Sequence, residues 1–151
     1  MIARWGTSFM SKRLKALYAK NPRQWIECLV WLMVTILVIV GKSIYYANAH
    51  SLSSDWMGNA WICPFVYFIL NLALALFGKD LGAYGRLFAN TGIASLILYF
   101  FLMGVYEMAS NYNESTPVFL FTGIAFLIVG TILGVAHFLS QKKSSETAIQ
   151  A

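Results

Sequence analysis

Four apolar stretches, each about long enough to cross a bilayer, constrain this chain more than any other feature. They cover residues 26–46, 59–77, 87–107 and 118–138. About 20 apolar residues rising 1.5 Å each cross roughly 30 Å of hydrocarbon as a helix. A helix also satisfies its own backbone hydrogen bonds, which lipid cannot do for it. The spacing therefore predicts an all-α integral membrane protein whose residues 26–139 form an antiparallel bundle of four transmembrane helices. Composition agrees: 59% of residues are hydrophobic, 11% are charged and the mean hydropathy is +0.65. Ordinary globular domains carry about 25% charged residues. Too little chain lies outside the spans to build a soluble catalytic domain.

Lysine and arginine in short connections stay on the cytoplasmic side. Arg4, Lys12, Arg13, Lys15, Lys20 and Arg23 precede the first span, Lys79 and Arg86 lie between the second and third, and Lys142 and Lys143 follow the fourth. The connections at 47–58 and 108–117 hold no lysine or arginine. With four spans, both termini and the middle connection are expected in the cytoplasm, in a membrane of the bacterial plasma-membrane type.

The middle connection lies within "FGKDLGAYGRLF", residues 77–88. Its glycines and basic residues raise the question of a phosphate-binding loop. A P-loop requires G-x-x-x-x-G-K-[ST] between a strand and a helix. Here the lysine precedes the later glycines, no Ser or Thr follows it, and both flanks are apolar spans. Residues 78–86 are expected to form a hairpin connection in which glycine supplies the turn conformations and Lys79 and Arg86 sit at the headgroups.

Residues 1–25 are expected to form a cytoplasmic basic amphipathic segment. Met10, Leu14, Leu17 and Tyr18 follow helical spacing, with Lys12, Arg13, Lys15 and Lys20 around the rest of the helix, a pattern suited to an anionic leaflet. Pro22 is expected to end that helix and Trp25 to mark the interface. These basic residues are accounted for by topology, so nucleic-acid binding is not expected. Residues 140–151 lack a periodic apolar face and read as a solvated cytoplasmic tail. Ala47-Asn48-Ala49 resembles a signal-peptidase site, but the segment before it is about twice the usual 15–30 residues, Glu27 opens the apolar run and Lys42 sits between run and site, so the segment is expected to be retained as a helix. Cys28 and Cys63 begin consecutive spans at opposite faces, too far apart for a disulfide.

Inside lipid, small and polar residues mark faces turned toward protein. Gly123, Gly130, Gly134 and His137 share one stripe of the fourth span, and Glu27, Trp31, Val34, Val38 and Gly41 one stripe of the first. Ala60, Pro64, Tyr67 and Asn71 align in the second span. Asn90, Ala94, Ile97, Phe101, Gly104 and Glu107 align in the third. Helix packing is thus expected at Gly41, Gly104, Gly123, Gly130 and Gly134. Trp25, Tyr45, Tyr46, Trp56, Trp61, Tyr106 and Tyr112 would supply the interfacial belts.

Glu27 and His137 are the candidate polar pair, each about one turn inside the cytoplasmic boundary, where ionisable groups cost little. The two are expected to meet across neighbouring first and fourth spans, in a structural role. Asn71 and Asn90, at comparable depth, are expected to supply interhelical hydrogen bonding worth about 1 kcal/mol. Lys42 and Glu107 are expected to form an outer ion pair. His50, Asp55 and Glu114 lie in outer connections without metal-ligand spacing. With no nucleophile–base–orienter set and no midspan histidine pair, neither catalysis nor a cofactor or metal is expected.

The four-span plan with both ends inside is similar in architecture to the small membrane subunit of TRAP-type transporters. "SSDWMGNAWICPF" does not reproduce that family's acidic motif before its second span. Glu27 is too shallow for the midspan carboxylate of small multidrug exporters, and no site residue is carried over from either family. The expected function is that of a small non-enzymatic polytopic membrane protein. It would act through contacts with the bilayer and with another membrane component or a second copy, as an accessory subunit, assembly factor or immunity-type protein. The alternative is a small dimeric transporter or channel with Glu27, Asn71, Asn90 and His137 along a cytoplasm-facing route.

Overall fold

The computed structural model describes residues 18–19, 21–48, 54–109 and 115–150. Lys12, Arg13, Lys15 and Lys20 lie outside the described residues, as do His50 and Glu114, so the expected amphipathic segment is represented by Tyr18 and Ala19 alone, both helical. The described chain folds into α1 (Pro22–Asn48), α2 (Asp55–Asn59), α3 (Ile62–Leu76), α4 (Gly82–Met108) and α5 (Pro117–Gln150). Four stretches are long and apolar enough to cross a membrane: Pro22–Ala47, Asp55–Leu76, Gly82–Met108 and Pro117–Gln141.

The helix boundaries have local causes. Pro22 opens α1, where its missing N–H costs nothing and its fixed φ suits a first turn. Ser54 caps α2, its side chain accepting from the Met57 N–H at 3.3 Å. The second span is broken at Ala60 and Trp61. Pro64 explains the break, because its ring excludes the carbonyl four residues back, that of Ala60, from a continuous helix. The span starts at Asp55, before the expected residue 59, because the Ser54-capped turn lies ahead of the break.

At the far end of α3 the chain turns through Gly78, whose φ is 64°. The Lys79 N–H donates to the Leu74 carbonyl at 2.9 Å and the Gly78 N–H to the Ala75 carbonyl at 3.1 Å. This is a Schellman stop, which favours glycine at its left-handed position. The turn is shorter than the expected 78–86, since α4 starts at Gly82. Arg86 is correspondingly not a headgroup anchor at the turn but a helical residue aimed at α1. Within the polar stretch that follows the fourth span the backbone stays helical, and α5 runs on to Gln150. Past Gly134 the sequence contains no glycine or proline to stop it, and Gln, Lys, Glu and Ala are good helix formers.

The helices assemble on α4. One face of α4, with Gly85, Ala89 and Gly92, meets Gly134, Gly130 and Gly123 of α5 backbone to backbone. A Cβ added to Gly130 would stand 2.8 Å from the Ala89 nitrogen, and one on Gly85 3.0 Å from the Gly134 nitrogen. Such faces let helix backbones approach closely, and the packing so gained is one of the forces that associate helices in lipid. The expected packing role of Gly123, Gly130 and Gly134 is therefore seen, with α4 as the partner instead of α1. Gly104 faces α2, where an added Cβ would meet the fully buried Met57 at 2.7 Å. Gly41 is a correction: its nearest neighbour is the tip of Phe101 at 4.0 Å, an ordinary contact and no close approach. On the other side of α4, Trp31 of α1 meets Tyr67 of α3 edge to face at 4.9 Å, above Ala89 and Ile93. Large apolar side chains such as Leu29, Leu37 and Ile44 point outward from α1. That inside-out pattern suits a helix whose solvent is hydrocarbon.

Candidate functional site

Polar side chains gather at the end of the molecule that carries Pro22, the turn at 77–81 and His137. Their centre is Asn90, one helical turn after Arg86 on α4. Its Oδ1 accepts from the Tyr67 hydroxyl at 2.9 Å and from the Trp31 indole N–H at 3.2 Å. Its Nδ2 donates to Glu27 Oε2 at 3.2 Å. The other Glu27 oxygen lies 3.6 Å from Arg86 Nε, with the two side chains 21% and 16% exposed. One amide thus ties α1, α3 and α4 together, and an ion pair closes the network toward the amino-terminal ends of α1 and α4.

A second amide extends it along α3. Asn71 Nδ2 donates to the Tyr67 carbonyl at 2.8 Å, and Asn71 Oδ1 accepts from Gln24 Nε2 at 2.8 Å. Gln24 and Asn71 are each 1% exposed, so nothing outside the protein competes for these bonds. An unpaired buried amide costs far more than a paired one returns, and this pairing fixes the register of α1 on α3. Asn71 and Asn90 both make interhelical hydrogen bonds, as expected, but not to each other. Tyr67 stands between them, linked to one through its hydroxyl and to the other through its carbonyl.

Beside this network is a separate cluster built on the turn. Asp80 accepts from the Gly82 N–H at 2.9 Å and from Asn21 Nδ2 at 3.2 Å, and its Oδ1 lies 3.1 Å from His137 Nε2. The α4 amino terminus is thereby occupied by the chain's own carboxylate, which removes the setting for an anion there. Gly82 has φ 70°, and a Cβ on it would meet the His137 ring at 3.0 Å. The expected Glu27–His137 pair is accordingly not formed. Glu27 belongs to Arg86 and Asn90, and His137 belongs to Asp80. The physical reason lies in the glycine stripe of α5: it seats on the small-residue face of α4, so His137 is carried to the turn and not to α1.

The opposite end holds the other correction. Lys42 Nζ donates to the Gly58 carbonyl at 3.1 Å, while Glu107 accepts from the Ser54 hydroxyl. Tyr46 donates to the Ser54 carbonyl at 2.6 Å. Lys42 and Glu107 therefore take separate partners, because α2 lies between α1 and α4 and offers both of them backbone and hydroxyl groups. Cys28 and Cys63 are free thiols, as the spacing requires. Among the described residues no group of His, Cys, Asp and Glu has metal-site geometry.

Gln24, Arg86 and Asp80 were not among the expected site residues. Gln24 precedes the expected start of the first span, although its seven-residue spacing to Trp31 places it on the same stripe. Arg86 is expected from the sequence at the headgroups, and Asp80 stands out by no spacing of its own. No protein family, no curated protein and no solved structure matches this chain.

Proposed function

We propose that this chain is a non-enzymatic polytopic membrane protein that works by contact with another membrane component, as an accessory subunit, assembly factor or immunity-type protein. The observation that carries this reading is where the polar network stops. Beyond Trp31 and Tyr67 the interface of α1 with its neighbours is apolar, built on Val34, Val38 and Ile97. The Thr35 hydroxyl in that layer is spent on the Trp31 carbonyl at 2.8 Å. From Trp31 to Lys42 this layer is about 16 Å deep at 1.5 Å per residue. A network closed on itself at one end, with a dry layer beyond it, suits a scaffold better than a route for ions or polar solutes. Affinity capture of the full chain in mild detergent is expected to recover one other membrane protein at fixed stoichiometry. Recovery of a homodimer alone, carrying proton-linked flux that Glu27→Gln abolishes, would instead establish the transporter.

The proposal includes an antiparallel bundle in a bacterial plasma membrane with both termini and the 77–81 turn cytoplasmic. The asymmetry of lysine and arginine between connections supports it. So does the reversed order in which Gly85 and Gly92 of α4 meet Gly134 and Gly123 of α5. A topology reporter inserted at Tyr84 or fused after Gln141 is expected to register as cytoplasmic, and one within 110–116 as external. An external signal after Gln141 contradicts the span count.

A further inference from the structure

We propose that the groove between α3 and α5 seats one acyl chain of an anionic glycerophospholipid, whose phosphate is held by Lys79 at the groove's end. Both helices lean on α4 and leave between them a cavity of about 600 Å³. Leu70, Ala73 and Phe77 form one wall, Leu127 and Thr131 the other, and Ala89 is part of the floor. Tyr67 and Asn71 border the groove, but their polar groups are engaged with Asn90 and Gln24, so the groove offers its occupant carbon. This inference does not depend on the proposed function.

The shape selects the occupant. Along α3 the groove runs from Val66 to Phe77, about 16 Å at 1.5 Å per residue, roughly half the thickness of a bilayer's hydrocarbon core. That is the depth of one leaflet and so of one acyl chain, whereas a spanning helix from a second copy would run about twice as far, roughly 30 Å. The groove opens sideways between two spans, where lipid is the surrounding solvent.

Charge selects the headgroup. Lys79 lies in the turn between Phe77 and Leu81, both of which line the groove, and reaches across to α5 with Nζ 5.8 Å from the Phe138 ring centroid. Among the described residues no carboxylate pairs with it, since the neighbouring Asp80 is engaged by His137, Asn21 and the Gly82 N–H. A cation that rests on an aromatic ring and has no carboxylate partner among the described residues, at the end of an apolar slot, matches a phosphate with a chain attached. A zwitterionic headgroup would bring its own ammonium toward Lys79 and bind less well.

The test is native mass spectrometry of the full chain in mild detergent, titrated with dioleoyl-phosphatidylglycerol or dioleoyl-phosphatidylcholine. The expected result is one retained lipid per chain, with phosphatidylglycerol favoured about fivefold, the effect of one basic residue at a membrane surface. Lys79→Gln should remove the preference and keep the occupancy. Ala73→Trp, or Leu70→Trp on the same wall, should abolish retention of both lipids at unchanged melting temperature. Retention unaffected by the wall variant that melts normally would overturn the seat. A preference that survives Lys79→Gln would overturn the headgroup assignment. An interchain disulfide formed by Thr131→Cys would put a second copy of the chain in the groove and sink the proposal.

Discussion

Replacing Gly130 with leucine is expected to stop the chain accumulating, and replacing it with alanine to cost about 1–3 kcal/mol, the usual range for overpacking a filled interface. The atoms that a new Cβ would meet are the Ala89 nitrogen at 2.8 Å and the Gly85 oxygen at 3.0 Å. Both are backbone atoms within the first two turns of α4, so neither can turn aside as a side-chain tip can. Relief requires the two helices to separate, and separation forfeits the contacts at Gly85, Gly92 and Gly123 as well. Gly41→Ala is the informative control. Its Cβ would find nothing closer than Phe101 Cζ at 4.0 Å, and alanine is a better helix former than glycine by about 1 kcal/mol. The same substitution should therefore lower the melting temperature at 130 and leave it unchanged or raise it at 41. Equal effects at both positions would show that the α4–α5 seam is not the close contact described above.

That contrast shows what periodicity can and cannot tell. Each span displays its small and polar residues along one stripe, so the existence of the helices, the stripe of Gly123, Gly130 and Gly134, and the Gly78 stop were all legible. A stripe gives a direction around its own axis and does not say which neighbour it will meet. Two stripes of glycine and alanine seat on each other most closely, so the α5 stripe selected Gly85, Ala89 and Gly92 of α4, and with that choice the expected Glu27–His137 and Lys42–Glu107 pairs were lost. Asn90 and Asn71 were visible as costly residues that had to find partners, while the partners came from Trp31, Tyr67 and Gln24, whose apolar bulk or early position disguised them. The break at Ala60 was legible from Pro64 in principle. The continuation of α5 past Phe138 was not, because polarity along 140–150 records contact with water and carries little information about backbone conformation.

Asn90→Leu is expected to cost about 3 kcal/mol, since it leaves Trp31, Tyr67 and Glu27 each short of a partner at about 1 kcal/mol apiece. Loss of stability alone would not distinguish the hydrogen bonds from the shape of the residue, and a swap of functional groups does. In Asn90→Asp the side chain keeps the volume and the oxygen that accepts from Tyr67 and Trp31, but it turns a donor into a second carboxylate facing Glu27. Arg86, 3.6 Å from Glu27, offsets part of that repulsion and cannot supply the missing N–H to both acids in the same geometry. Adding Glu27→Gln reverses the roles: the amide now sits on α1 and the carboxylate on α4, with the same number of charges and donors as in the original chain. A double-mutant cycle by thermal unfolding in detergent should then show the pair of changes more stable than the sum of the single ones by roughly 1–2 kcal/mol, within the range for residues in direct contact. If the double variant is no better than the sum, Asn90 and Glu27 do not hold α1 to α4 by this bond. The exchange also separates scaffold from route. A contact protein needs α1 held in register and should keep its captured partner when the carboxylate moves to the other helix. A proton carrier depends on which helix bears the acid and should lose flux while remaining folded.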